Sequence, residues 1–174
     1  MLDRLFDFLR EFITLFRFAV VVDVFEQGVI LRFGRLHKVL VEPGFYWLIP
    51  FGVDRPITEN AALEARNLPA QSLTLRCGTS VLAAPVISYR MADPVKFIVE
   101  VDDADSAITD VARGTIREVL CQMTWDEITA TDSPVLDQMT KAVRKEARRF
   151  GIEVTRVTLA DLAKVRVLRL VTGE

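Results

Sequence analysis

The sequence of 174 residues has little of the chemistry that known classes of enzyme use. Its single histidine, His37, leaves almost no side chain suited to proton transfer near neutral pH. The two cysteines, Cys77 and Cys121, are too few for a disulfide framework or a zinc site. Nucleotide-binding glycine loops, hydrolase elbows and zinc-protease motifs are also missing. These absences favour a binding or assembly protein over an enzyme.

An excess of charge of one sign is missing as well, because 22 lysines and arginines stand against 24 aspartates and glutamates. The net charge of −2 provides no global basic field for nucleic acid. Hydrophobic residues make up 51% of the chain, so it can bury a core. Its length suits one ordinary domain with additional segments.

The first 18 residues contain five of the eleven phenylalanines. On a helix over residues 2–17, the charged side chains share one arc and the apolar side chains cover the opposite half. We expect this amphipathic helix to occupy residues 1–19 and to contact a membrane. The expected contact residues are Leu2, Leu5, Phe6, Phe8, Leu9, Phe12, Ile13 and Phe16.

This helix does not match a transmembrane span, because its longest uncharged runs are five residues long. A secretory signal fits badly, since acidic residues occupy the segment that should be basic. The helix therefore lies in the membrane interface or packs on protein. Its wide, phenylalanine-rich face favours the membrane. Its three arginines and three acids cancel, so attachment would come from apolar burial.

Runs of β-branched and aromatic residues predict strands between residues 20 and 91. We expect a tight turn at Gln27–Gly28 and a second turn region at Gly34–Lys38. Pro43–Gly44 predicts a corner, and imperfect alternation predicts a bulge near Pro85. The predicted strands are Val20–Phe25, Val29–Phe33, Phe45–Ile49, Leu63–Leu68, Ser72–Arg76 and Ser80–Met91.

Helical periodicity follows these strands. A short helix is predicted over Pro94–Val99 and a longer one over Asp103–Cys121, with acidic residues at the N-terminus of the longer helix. Thr131–Pro134 is an N-cap signal for a helix that ends at Phe150–Gly151.

The chain closes with an alternating strand, Ile152–Leu159, and a segment over residues 162–171 that fits a helix or a strand. This order predicts an α+β fold. In it, a block of antiparallel strands is followed by helices packed on it and preceded by the amphipathic N-terminal helix.

Five segments carry recognisable motifs: Val24–Arg35, Pro43–Phe51, Tyr89–Pro94, Arg113–Val119 and Phe150–Val157. Together they resemble the SPFH or band 7 superfamily, which includes stomatins, prohibitins, flotillins and bacterial membrane-protease cofactors. The resemblance covers residues 20–162 and leaves residues 163–174 as a short tail. It implies an SPFH-like domain that oligomerises laterally on a membrane and organises lipids or regulates neighbouring proteases or channels.

Two features depart from that family. Leu75-Arg76-Cys77-Gly78 stands where members usually have a Thr-Lys-Asp-Gly-like turn. Most members continue into a long coiled coil, whereas this sequence ends at Glu174. We therefore expect a short form that lacks the usual device for building large rings or cages.

Charge is distributed unevenly over the second half of the chain. Residues 100–110 carry five acids and no base, whereas residues 141–169 carry nine bases against three acids. Opposite patches on neighbouring subunits attract, which favours a head-to-tail oligomer. The expected interface residues are Asp102, Asp103, Asp105, Lys141, Arg144, Lys145 and Arg148. A solvated helix face and a basic face on anionic headgroups are the alternatives.

The sequence thus predicts a non-enzymatic scaffold on the cytoplasmic face of a membrane. Its expected partners are lipid, other copies of itself and a membrane protease or channel, without nucleic acid, metal or cofactor. The alternative is a soluble oligomeric module whose N-terminal helix packs between subunits. Calcium at the three aspartates, or a Cys–His nucleophile using His37, is a weaker interpretation. Arginine outnumbers lysine 17 to 5, which favours a prokaryotic source.

Overall fold

The computed structural model describes residues 18–130 and 133–165. Residues 1–17 of the predicted N-terminal helix, with its eight expected contact residues, lie outside these ranges, and its predicted last residue, Ala19, belongs to a strand. The chain divides into two compact units. The N-terminal unit comprises residues 1–62 and 91–103, and the C-terminal unit comprises residues 63–90 and 104–174.

The N-terminal unit is built mainly from short antiparallel strands. These are β1 (Ala19–Val22), β2 (Glu26–Arg32), β3 (Arg35–Leu40), β4 (Gly44–Trp47) and β5 (Asp54–Asn60), and a π-helical turn, Lys96–Glu100, follows later in the chain. β1 pairs with β4, while β2 lies between β3 and β5. A small core forms from Val20, Val22, Ile30, Leu40 and Leu48, with Tyr46 packed against it.

The turn predicted at Gln27–Gly28 is wrong, because both residues lie inside β2. The chain turns earlier, where the Glu26 N–H donates to the Asp23 carbonyl at 3.0 Å. A Cβ at position 28 would collide with the backbone oxygen of Ile57 on β5. Glycine is therefore needed here for close approach of a neighbouring strand and not for a turn.

The second predicted turn region, Gly34–Lys38, is too long. Only Phe33 and Gly34 connect β2 to β3, and the following residues form β3. The sequence analysis also missed β5, because Pro56 and its polar residues give no apolar alternation.

The C-terminal unit combines a sheet with helices. Its elements are β6 (Glu64–Asn67), β7 (Gln71–Thr74), β8 (Ser80–Met91), α1 (Ala104–Cys121), α2 (Trp125–Thr129), α3 (Val135–Ala147) and β9 (Ile152–Lys164). β6, β7 and β9 all pair with β8. α3 packs against α1 and β9, and both helices bury one apolar face.

β8 runs without interruption, so the bulge predicted near Pro85 is not in this strand. The irregularity lies instead on the side of the strands β6 and β7, which pair with it. Between the pairs Asn67–Val86 and Gln71–Ala83, the β6–β7 side advances four residues while β8 advances three. The extra residue therefore lies between β6 and β7, where the Leu68 N–H donates to the Pro85 carbonyl at 2.9 Å.

The two long helices predicted in this unit agree with the structure, whereas the short helix α2 was not predicted. α1 begins at Ala104, directly after the acidic residues, and Gly151 ends the α3 segment with a φ of 72°. The segment that fitted a helix or a strand begins as strand, since β9 continues to Lys164. The α+β prediction is confirmed. No helix in the described ranges is long and apolar enough to cross a bilayer.

Candidate functional site

Several large, exposed apolar side chains lie at one end of the N-terminal unit. Two backbone hydrogen bonds bring the chain together there, from the Leu48 N–H to the Phe18 carbonyl at 2.8 Å and from the Phe33 N–H to the Val53 carbonyl at 3.0 Å. We call this the aromatic end. Its residues are Phe18, Phe33, Trp47, Ile49 and Phe51, which are between 44% and 79% exposed.

Two of these phenylalanines stand on an unfavourable backbone. Phe33 and Phe51 have φ values of 50° and 65°, and each is followed by a glycine with positive φ. The Phe33–Gly34 connection occupies a hairpin turn where Asn-Gly is the usual sequence. A left-handed conformation costs a residue with a Cβ about 1 kcal/mol or more. Neither ring is buried in return, so the two turns present large apolar side chains at the surface on a strained backbone.

An ion pair with a buried carboxylate and a half-buried guanidinium supports these two turns. Arg32 Nε and Nη2 donate to Asp54 Oδ1 and Oδ2 at 2.7 and 3.0 Å, and the Ile49 N–H donates to Asp54 Oδ2 at 2.9 Å. The Asp54 side chain is 1% exposed. The Arg32 hydrogen bond, aided by the Ile49 N–H, overcomes burial and lowers the pKa of Asp54 to about 2. The pair joins the end of β2 to the start of β5 and to Ile49, the second residue after β4.

The outer face of the β1–β4 pair extends the aromatic end. Val20 and Val22 face the core, so Val21 points outward beside its partner Phe45. Phe45 and Trp47 form an edge-to-face pair with ring centroids 5.0 Å apart. An apolar strip therefore runs from the aromatic end along this face.

Two of the predicted interface residues have partners inside the C-terminal unit. Asp105 accepts hydrogen bonds from Arg66 Nη2 at 2.8 Å and from the Tyr89 hydroxyl at 2.9 Å. Burial, together with this carboxylate, raises the pKa of Tyr89. Arg144 donates to the carbonyls of β9, at 2.7 Å to Val154 and 2.9 Å to Thr155. The charged groups of Asp105 and Arg144 therefore stabilise the C-terminal unit.

The other predicted interface residues are exposed. Lys141, Lys145 and Arg148 lie on or directly after α3, whereas Asp102 and Asp103 precede α1 and belong to the N-terminal unit. The acidic and basic sets are therefore divided between the units, apart from Asp105. The interface stays a prediction.

The weaker catalytic and metal interpretations concern the cysteines, His37 and the three aspartates near the start of α1. Cys77 Sγ lies 3.3 Å from Thr79 Oγ1, and this hydrogen bond lowers the pKa of the exposed thiol to about 7. His37, the chain's one histidine, belongs to the other unit. Among residues 18–130 and 133–165, no three histidine, cysteine or acidic side chains are grouped to hold a metal ion.

The sequence analysis missed the aromatic end. A partial signal was present, because a Phe-Gly pair occurs at or just after the end of a predicted strand at positions 33–34 and 51–52, whereas the third such pair, at 150–151, ends a helical segment. A large aromatic residue before glycine in a turn is unusual, since short polar residues tolerate that backbone better. Strand pairing was still needed to show that the two turns share one end.

The model of the SPFH domain / Band 7 family matches residues 20–164. Among curated relatives, an uncharacterised protein of Archaeoglobus fulgidus is 28% identical over 142 residues, which is 82% of this chain and 56% of the relative. Stomatin-1 of Caenorhabditis elegans is 26% identical over 89% of this chain and 47% of its own length. Protein HflK of Haemophilus influenzae is 30% identical over 74% of this chain and 32% of its own. The chain thus spans about half, or less, of these relatives.

Proposed function

This chain belongs to the SPFH domain / Band 7 family, and we propose that it is a membrane-associated scaffold whose aromatic end lies on the bilayer. Stomatin and HflK relatives support the membrane-associated role in general terms. The proposal adds lateral assembly on the cytoplasmic face. Such an assembly would organise lipids or regulate a neighbouring membrane protease or channel.

The aromatic end is the observation that carries this proposal. Full burial of a phenylalanine ring is worth about 1.5–3 kcal/mol, so two rings in the acyl region would contribute measurably to attachment. Leu48 holds Phe18 at this end, and residues 1–17 directly precede Phe18. The amphipathic helix predicted over residues 1–19 would therefore enter the membrane interface beside the two rings.

Vesicle co-flotation tests this contact with a matched pair of variants. Phe33→Asn/Phe51→Asn removes two exposed rings, and asparagine is well tolerated where φ is positive. Val24→Asn/Phe25→Asn removes two equally exposed apolar side chains from the opposite end of β2. We expect the first variant to lose about tenfold or more in vesicle binding and the second to bind as the wild type. Equal binding by both variants would remove the aromatic end from the proposal.

The soluble module is the competing function, and the N-terminal segment distinguishes it. Replacing Leu5, Leu9, Phe12 and Phe16 by serine should abolish flotation if the predicted helix anchors the protein. If the wild type does not float and this variant loses its oligomer in mass photometry, the segment is an assembly element. The membrane proposal would then be wrong.

Assembly through opposite charges needs its own test. Lys141→Glu/Arg148→Glu reverses two exposed bases that are free of the Arg144 contacts to β9. We expect a smaller particle mass, because like charges would then face the acidic patch of the next subunit. Arg117→Glu, which reverses an exposed base on α1, should leave the mass unchanged. An unchanged mass in the double variant would exclude this interface.

A further inference from the structure

The charges of residues 18–62 are separated along β2. Acids lie at or near its first residue. Glu26 begins the strand, and Glu59 of β5 pairs with Gln27. Asp23 opens the turn that leads into β2. Glu42 follows the end of β3, which pairs with Gly28. Apart from Asp54, which is neutralised by Arg32, these are all the acids of this segment. One end of the three-stranded sheet is therefore acidic.

The opposite end, which is the aromatic end, is basic. Arg35 pairs with Arg32, whereas Arg55 pairs with Leu31, so the pleat places the two side chains on opposite faces of the sheet. Both arginines are exposed, and neither forms an ion pair with any residue that the structure describes. An unneutralised guanidinium thus stands on each side of the Phe33–Gly34 turn.

We propose that the aromatic end selects anionic phospholipid headgroups, with Arg35 and Arg55 binding their phosphates on either side of the inserted rings. This inference rests on the proposed membrane contact and adds the lipid class. Guanidinium groups bind phosphate oxygens through paired hydrogen bonds, and the flanking position places them at headgroup depth when the rings are buried. The acidic end would at the same time be repelled from an anionic surface, which fixes the orientation of the unit.

The rest of the N-terminal region does not supply this selectivity. The predicted amphipathic helix carries equal numbers of bases and acids, so its attachment is insensitive to headgroup charge. Lys38, the one lysine of residues 18–62, keeps its charge but pairs with Ile30 in the middle of β3, away from the turn, with its ammonium group 4.8 Å from the Tyr46 ring centre. Arg35 and Arg55 are therefore the residues to test.

The experiment measures co-flotation of the full chain with two kinds of vesicle. One contains phosphatidylcholine alone, and the other contains phosphatidylcholine and phosphatidylglycerol in equal amounts. A basic residue near an anionic surface is worth about fivefold in binding, so two should give about 25-fold preference for the anionic vesicles. Added salt should reduce this preference and leave binding to the neutral vesicles unchanged.

Two variants locate the preference. Arg35→Gln/Arg55→Gln should bind both vesicles nearly equally, at the level of the wild type on phosphatidylcholine. Arg117→Gln/Arg156→Gln removes the same charge from two exposed arginines of the C-terminal unit that lie outside the predicted oligomer interface, and should keep the preference. Thermal unfolding of the arginine variant should match the wild type, because both side chains are exposed and lack partners in the described structure.

The outcomes separate the two proposals. Equal flotation of the wild type with both vesicles would overturn anionic selection while leaving membrane attachment intact. A preference that survives in the arginine variant would also overturn it, by placing the selection elsewhere. Flotation with neither vesicle would overturn the proposed membrane function, and the lipid selectivity with it.

Discussion

The two units differ in how completely they bury their own hydrophobic side chains. Among the described residues, twelve of the fifteen large hydrophobic side chains that are exposed belong to the N-terminal unit. By contrast, nineteen of the twenty-six buried hydrophobic residues belong to the C-terminal unit. The C-terminal unit completes its own core, whereas the N-terminal unit presents apolar surface to its surroundings.

The difference follows from how the elements are layered. In the C-terminal unit, α1 and α3 give the sheet a helical layer to pack against. The N-terminal unit has a two-stranded and a three-stranded sheet, which are too small to bury both of their faces. The buried core is thus concentrated in one unit, and exposed apolar surface is concentrated in the other.

A cavity in the core of the C-terminal unit should cause the largest loss in the free energy of unfolding. Leu120→Ala removes a side chain of α1 that is fully buried, and we expect a loss of about 3 kcal/mol in the free energy of unfolding. Leu36→Ala makes the same chemical change at a side chain of the N-terminal unit that is 44% exposed, and should cost under about 1 kcal/mol. Urea denaturation measures both, and equal losses would contradict the comparison.

Close strand packing is the feature of the N-terminal unit most sensitive to added volume. Gly28→Ala places a methyl group against the Ile57 carbonyl, and we expect a loss of about 2–3 kcal/mol. Gly114→Ala on α1 has open space around its Cβ and should stabilise the protein by about 0.5–1 kcal/mol. Chemical denaturation of the two variants should therefore give shifts of opposite sign. A neutral Gly28→Ala would show that β5 can move away from β2.

Removing the charge of Asp54 should destabilise the two turns of the aromatic end. Asp54→Asn weakens the Arg32 pair and should cost about 2 kcal/mol at neutral pH. Because the pKa falls from 3.8 to about 2 on folding, this contribution is complete above about pH 4 and is lost as the pH falls toward 2. The stability difference between wild type and variant should shrink over that window. A difference independent of pH would show that the carboxylate charge does not contribute.

Replacing the two exposed phenylalanines should change stability least of all these variants, although it should weaken vesicle binding strongly. Phe33→Asn/Phe51→Asn should leave the free energy of unfolding unchanged or raise it by up to about 1 kcal/mol, because strain at the positive φ values is relieved. Vesicle binding of the same variant should fall. Differential scanning calorimetry beside flotation checks both, and a marked drop in thermal stability would mean that the two rings serve the fold.

The two long helices, α1 and α3, were predictable because their signals are local. Residues three or four apart decide which face of α1 is buried, and Gly151 marks the end of the segment that follows α3. Strand β8 was also found, with its bounds at Ser80 and Met91. Its predicted bulge was misplaced, because the extra residue lies in the neighbouring strand, and one strand's sequence carries no record of its partner's register.

Gly28 and β5 show where local signals fail. A glycine between two apolar runs fits a turn and a close approach equally well, and only the position of Ile57 distinguishes them. β5 pairs with β2 along its full length although its own sequence shows no alternation. Its backbone hydrogen bonds to β2 stabilise it, whatever its intrinsic preference.

The sequence by itself determined the α+β class, the family motifs and the positions of the two long helices, since each depends on residues close together in the chain. The tertiary structure alone decided which exposed residues act together. Phe33 and Phe51 are eighteen positions apart, yet pairing of β2 with β5 brings their turns to one end of the sheet, between Arg35 and Arg55. This surface is formed by strands from distant parts of the chain. Their register, which aligns the two turns, is set by packing across the whole unit.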